Sequence, residues 1–170
     1  DVISLEFNHT DIQCFCTDPN APSNEANLAH QAATTFFSKV KRKANYKYKG
    51  VKISIEKKIP IGAGLGGGSS DAAATLLALN ELWGLELPIS ELVPLASELG
   101  SDVPFFIYRG TALVEGKGEE VTPLPSLPST CFVLLVPPLP KISGKTRQMY
   151  NNLDPSDFTE GQFVQEALSS

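Results

Sequence analysis

Between Pro60 and Ala74 the chain reads PIGAGLGGGSSDAAA, a stretch rich in residues that bare the backbone. Gly62, Gly64, Gly66, Gly67 and Gly68 allow repeated positive φ and let main-chain donors approach a ligand without a Cβ in the way. Ser69, Ser70 and Asp71 come next, and then ATLLALNELW, an apolar run of helical length. The loop therefore opens onto a helix N-terminus, where free N–H groups and about half a positive charge favour an anion. Successive loop amides can also form a nest for phosphate oxygens, while Ser69 and Ser70 can offer hydroxyls to the same oxygens or cap the helix. A flexible linker would not run from an alternating strand straight into an apolar helix. The chemistry implied is the grip of a phosphorylated ligand. Asp71 would repel that ligand if it faced inward, so it is expected to point away and complement the helix dipole.

The spacing separates three kinds of phosphate loop. A Walker A loop needs Lys directly after its last Gly, but Gly68 is succeeded by Ser69. A dinucleotide fingerprint fits formally at Gly62, Gly64 and Gly67, yet it requires a second parallel strand ending in an acidic residue. After Gly84 the chain instead reads LELPISELVPLASELG, a Pro-containing turn and another helix. The third kind is the P-x-x-x-G-L-G-S/G-S-S loop, which Pro60, Gly64, Leu65, Gly66, Ser69 and Ser70 match. With it the chain resembles the GHMP kinases, a superfamily that includes galactokinase, homoserine kinase and mevalonate kinase. The triple glycine of GLGGGSSDAA, GSDVPFF at 100–106 and ALVEGKGEEVTPL at 112–124 occur in the order found in one branch. Members of that branch phosphorylate a cytidine diphosphate-linked methylerythritol in non-mevalonate isoprenoid synthesis. The resemblance runs from DVISLE to about Leu124 and thins afterwards.

The resemblance implies an α+β fold, with a GHMP kinase N-terminal domain over 1–125 (a mixed or antiparallel sheet packed by helices, first strand missing). The start of a ferredoxin-like C-terminal domain is expected over 130–170. It implies ATP, with Mg2+, held by Pro60, Ile61, Gly62, Ala63, Gly64, Leu65, Gly66, Gly67, Gly68, Ser69 and Ser70. Ser70 is a magnesium contact by the same resemblance. Phosphoryl transfer also needs a carboxylate to orient the acceptor hydroxyl and take its proton. Asp102 is the candidate, since it comes after a helix stop at Gly100 and precedes Pro104, so it should lie near an element's end. As a residue alone it could equally be a turn cap; in the resembled kinases the matching Asp is the base, paired with a Lys upstream of Asp1. Lys145 and Arg147 are candidates to reach the substrate's diphosphate. Another GHMP-type kinase, with homoserine or mevalonate as acceptor, and a non-catalytic nucleotide-binding module are the alternatives.

At 170 residues the chain can hold one domain and part of a second, and 42% hydrophobic residues suffice for a core. A net charge of -5 argues against a nucleic-acid surface, and KVKRK at 39–43 reads as a solvated helix end. Cys14, Cys16 and Cys131 are an odd number without zinc-like spacing, which points to a reducing compartment, and Cys14 and Cys16, on one face of an expected strand, read as buried thiols. No apolar run has the length to span a bilayer. These features fit a bacterial cytoplasm, with a plastid stroma as the alternative, and a monomer or homodimer. The chain starts at Asp1 in mid-strand, and its only methionine is Met149, so a fragment is expected.

The elements that must position these groups can be read in order. Val2 to Phe7 and Ile12 to Cys16 read as a hairpin or near-hairpin. Asn24 is expected to cap a helix to about Lys41, with Leu28, Ala29, Ala32, Ala33, Phe36, Phe37 and Val40 on one face. His9 and His30 are read as ordinary residues. Val51, Ile53 and Ile55 alternate with polar partners in a half-buried strand that feeds the loop. A helix from about Ser70 to Trp83 is apolar nearly all round, and Trp83 is core. Ser90 is expected to cap a helix over 91–99 that Gly100 stops in the left-handed region. Phe105 to Tyr108 and Thr111 to Glu115 are expected as strands, with a tight turn at 116–118 before Glu120 to Leu124 and with Glu115 and Lys117 in solvent. Pro123, Pro125 and Pro128 mark a boundary, with a buried strand beyond it over 131–136. A helix over 143–152 and one capped at Thr159 come last.

Overall fold

Val51, Ile53 and Ile55 are almost wholly buried while Glu56 is exposed, as the alternation predicts. In this computed structural model, which describes residues 1–41, 50–135, 145–159 and 161–169, that strand is the middle of a three-stranded sheet. β1 (Val2–His9) runs antiparallel to β3 (Gly50–Glu56), and β2 (Ile12–Cys16) runs parallel to it on the other side. The expected hairpin of β1 with β2 is thus wrong. Each pairs with β3, which inserts between them. Side-chain alternation fixes which face is buried but carries no information about the partner strand.

One face of the sheet is solvated. Phe15 is half exposed there, and Lys52 pairs with Glu6 at 2.9 Å. The other face is covered by helices α1 (Leu28–Lys41) and α2 (Gly67–Leu82), with α3 (Ile89–Leu99) and α4 (Val103–Tyr108) packed on α2. Ala29, Ala32, Ala33 and Phe36 of α1 meet Ala72, Ala73, Leu76 and Leu79 of α2 in one core, all of them without solvent exposure. Each such leucine contributes about 1.5–3 kcal/mol. Small residues at 29, 32, 33, 72 and 73 let the two helices approach closely. Trp83 lies partly buried at the end of α2, edge-on to Phe7 at 4.6 Å and to Phe37 at 5.1 Å.

Helix starts differ from expectation in detail. Asn27, not Asn24, bonds the first turn of α1, its Oδ1 accepting from the Ala29 N–H at 2.9 Å. α3 begins after Pro88, with no side-chain cap from Ser90, and Gly100 ends it at φ 163°, an extended rather than left-handed conformation. Residues 105–108 are not a strand. They belong to α4, in which Pro104 occupies the first turn, where a missing N–H costs nothing. A four-residue apolar run cannot distinguish helix from strand by period, and the proline is the deciding signal.

β4 (Thr111–Glu115) and β5 (Glu120–Leu124) form the expected hairpin, with Glu115 and Lys117 exposed. The chain divides into two units, Asp1–Leu134 and Leu135–Ser170. Residues 131–135 are exposed and irregular, so the expected buried strand is absent there; position 136 lies outside the described residues. In the second unit α5 (Lys145–Asn151) and α6 (Gln162–Ser169) flank a 3₁₀ turn at Pro155–Asp157. The capping box belongs to that turn, between Asp154 and Asp157, rather than to Thr159. Among the described residues no helix is long and apolar enough to cross a membrane.

Candidate phosphate-binding site

β3 ends at Glu56, and Pro60 lies in the irregular stretch that leads into the turn. Gly62, Gly64 and Gly66 all take positive φ, so the turn coils back on itself before α2 begins at Gly67. The helix therefore starts three residues earlier than the apolar run implied, and Gly67, Gly68, Ser69 and Ser70 form its first turn. Gly66 is the N-cap, at φ 66°, and no side chain caps the helix. Its carbonyl accepts the Ser70 N–H at 2.8 Å. The N–H groups of the first turn ahead of Ser70 point out of the helix end without an intrahelical acceptor. A Cβ on Gly66 would come within 2.6 Å of the Phe106 ring, so both the left-handed backbone and the close packing of α4 demand glycine there.

Pro60, Ile61, Gly62, Ala63, Gly64, Leu65, Gly66, Gly67, Gly68 and Ser69 together line one cavity of about 380 Å³. That volume falls in the usual range for small-molecule sites. Ser70 does not line it; its hydroxyl donates to the Gly67 carbonyl at 2.9 Å. Cys16, Ala21, Pro22, Ala26, Asn27 and Leu28 line it as well, with Leu28 against Gly68. These residues are mostly apolar, so the cavity has a donor-rich side and a side suited to a flat apolar group. The DPNAPSNE loop gave no signal of this in sequence. Only the parallel placement of β2 brings it opposite the glycine turn.

Asp71 does not point away. It is 5% exposed, lines the cavity and bonds the Lys57 ammonium at 2.7 Å. Lys57 also bonds Asp1 at 2.5 Å, and the side chains of all three are at most 7% exposed. Asp1 in turn accepts the Lys58 and Ile59 N–H groups at 2.5 and 2.8 Å. A neighbouring ammonium makes a buried carboxylate tolerable beside an anion site, which is why the repulsion argument misplaced Asp71. Cys14 is buried on β2, and its thiol is pushed up to about 11 by burial first and then by Cys16 and Asp71. Among the described residues no group of three or more His, Cys, Asp and Glu could hold a metal ion.

Asp102 is exposed, immediately before α4, and is not among the residues lining the cavity. Phe106, whose ring packs on Gly66, comes four residues later on the same helical face, an axial separation of about 6 Å. From the other side the hairpin closes on it. A Cβ on Gly118 would collide with the Ser101 carbonyl oxygen, so the hairpin tip touches the residue before Asp102 directly. Arg147 is exposed on α5 in the second unit, while the side chain of Lys145 lies outside the described residues, as does that of His9. His30 keeps company with Thr34, whose hydroxyl donates to the His30 carbonyl.

The fold around the glycine turn is that of a known family. Residues 27–110 match the GHMP kinases N terminal domain, and the chain belongs to the GHMP kinases. The similar proteins point further within it. The chain is 52% identical over 121 residues to 4-diphosphocytidyl-2-C-methyl-D-erythritol kinase of Dehalococcoides mccartyi, a match covering 71% of this chain and 43% of that protein. It is 48% identical over 135 residues to the enzyme of the same name from Acaryochloris marina, covering 79% and 42%. A crystal structure of 4-(cytidine 5'-diphospho)-2C-methyl-D-erythritol kinase superposes with a TM-score of 0.61 at 35% identity, over 92% of this chain and 52% of that one. Homoserine kinase from Cytophaga hutchinsonii shares the fold, with a TM-score of 0.64 at 21% identity, over 95% and 53%. The chain thus spans about half the length of the relatives it matches.

Proposed function

We propose that the protein of which this chain forms part transfers the γ-phosphoryl group of ATP to the 2-hydroxyl of 4-diphosphocytidyl-2-C-methyl-D-erythritol. The observation that carries this reading is the two-sided cavity. Its glycine wall offers amides and a helix N-terminus to phosphates, and its apolar wall offers Ala21, Pro22 and Leu28 to a base. The choice of acceptor rests on the relatives at about half identity. Homoserine as acceptor is supported only by fold likeness.

In this reading the glycine turn holds the nucleotide and compensates charge on the transferred group, the main demands of phosphoryl transfer. The cavity is lined without Asp102, which fits a carboxylate that serves the acceptor rather than the nucleotide. Asp102 orients the hydroxyl and takes its proton as the oxygen bonds the γ-phosphorus and the bond from that phosphorus to the departing ADP breaks. Magnesium bound with the nucleotide would supply compensation of the phosphate charge. Ser70 would touch the ion only by turning its hydroxyl away from the Gly67 carbonyl. Lys145 and Arg147 are assigned to the acceptor's diphosphate. The protein works as a monomer or homodimer in a bacterial cytoplasm, the relatives named above being bacterial proteins, with a plastid stroma as the alternative. A panel of acceptors tests the reading: with the full-length protein, the cytidine-containing alcohol should be phosphorylated and homoserine and mevalonate should not. Turnover of either of the latter in its place would refute it.

A further inference from the structure

The buried trio of Asp1, Lys57 and Asp71 has no part in the chemistry above, yet two of its members line the cavity. Lys57 lies against the start of α2, its Nζ 3.0 Å from where a Gly67 Cβ would be. The trio joins both limbs of the glycine turn. Asp1 holds the entering limb through the Lys58 and Ile59 amides, and Asp71 belongs to the leaving limb. Its two carboxylates and one ammonium carry a formal charge of -1 beside a site for a polyanion. Without the ammonium that charge would double, in a region shielded from solvent where repulsion is poorly screened.

We propose that Lys57 is a positioning residue that masks Asp71 and Asp1, so that the first turn of α2 can accept phosphate. The inference rests on the reading of the cavity as a nucleotide site. It sets an order of ATP affinities by local charge. D71N, with the trio neutral, binds tightest. Wild type and K57M/D71N, each at -1, bind alike. K57M binds weakest, by on the order of tenfold relative to wild type. Adenosine, which lacks the phosphates, should bind all four proteins with the same affinity.

Calorimetric titration of the full-length proteins with ATP and with adenosine tests this. The expected result is the charge order for ATP and its absence for adenosine. Should K57M fail to fold, D71N against K57M/D71N carries the same comparison, the second binding ATP more weakly by a similar factor. Parallel losses of ATP and adenosine, or equal ATP affinities, would make the trio a purely structural staple and overturn the inference while leaving the proposed function standing. A wild type that binds no ATP would overturn both.

Discussion

The glycine wall of the cavity and the segment that bears Asp102 are held by different means. The glycine turn is anchored on α2, whose Ala72, Ala73, Leu76 and Leu79 have no solvent exposure, and on a buried ion trio with bonds of 2.5 and 2.7 Å. Asp102 is exposed, immediately before the six-residue α4 and without a side-chain cap bond, although Val103, Pro104 and Ile107 behind it are buried against α2 and α3 and Gly118 meets Ser101 in front. The first region is packed and ion-paired before any ligand arrives, an arrangement that lowers the ordering cost of binding a flexible anion. The second holds its helix in the core through Val103, Pro104 and Ile107 but leaves the carboxylate itself in solvent at the helix start. A packing fault in the first should cost stability and nucleotide affinity together, and loss of the carboxylate in the second should cost rate alone.

Asp102→Ala is the sharpest way to break that contrast. On the proposed reading, removing the carboxylate takes away the general base and should lower kcat by about 10²–10⁴-fold, while an exposed site should move stability by no more than about 0.5 kcal/mol. Steady-state kinetics beside thermal unfolding reads both, and a large fall in Tm would show the segment to be structurally coupled. Leu76→Ala is the counterpart in the other region. It should cost about 2–5 kcal/mol by opening a cavity under the first turns of α2, measured by urea unfolding, with ATP affinity falling in step. Gly118→Ala comes next. The Cβ cannot coexist with the Ser101 carbonyl, so the hairpin tip must shift; kcat should fall several-fold with the ATP dissociation constant unchanged, and equal losses in both would erase the distinction. The smallest effect concerns Cys14. Its thiol titrates near 11 in the folded protein against an ordinary 9.0, so the folded state keeps its proton longer than the unfolded chain. The stability tied to that neutral thiol is complete below about pH 9 and is lost as pH rises to about 11. Cys14→Ala should flatten that part of a stability-versus-pH curve, as denaturant melts between pH 8 and 11 would register.

The sequence made the donor-rich wall legible because its signal is local. Glycines that need positive φ and an apolar run that needs a helix lie next to one another in the chain. The buried face of β3 was legible for the same reason. What stayed hidden depends on contacts distant in sequence. Nothing near Asp1 announces a bond to Lys57, 56 residues away, and nothing in residues 21–28 announces a place across from the glycine turn. The hairpin expected of β1 and β2 failed for the same cause, since their partner arrives 34 residues after β2 ends. Phe105 to Tyr108 failed for another, namely that an apolar run too short to show a period was read without weighing Pro104.

On the proposed function, the meeting of Gly118 with Ser101 would tie turnover to a small ribbon of chain. β4 and β5 contribute little to the main core, so the ribbon can fray while α1, α2 and the sheet stay intact. Each such opening would free the aspartate from its stop and idle the enzyme with its nucleotide still aboard. Sequence changes in that ribbon would then tune turnover without touching a single residue that meets ATP.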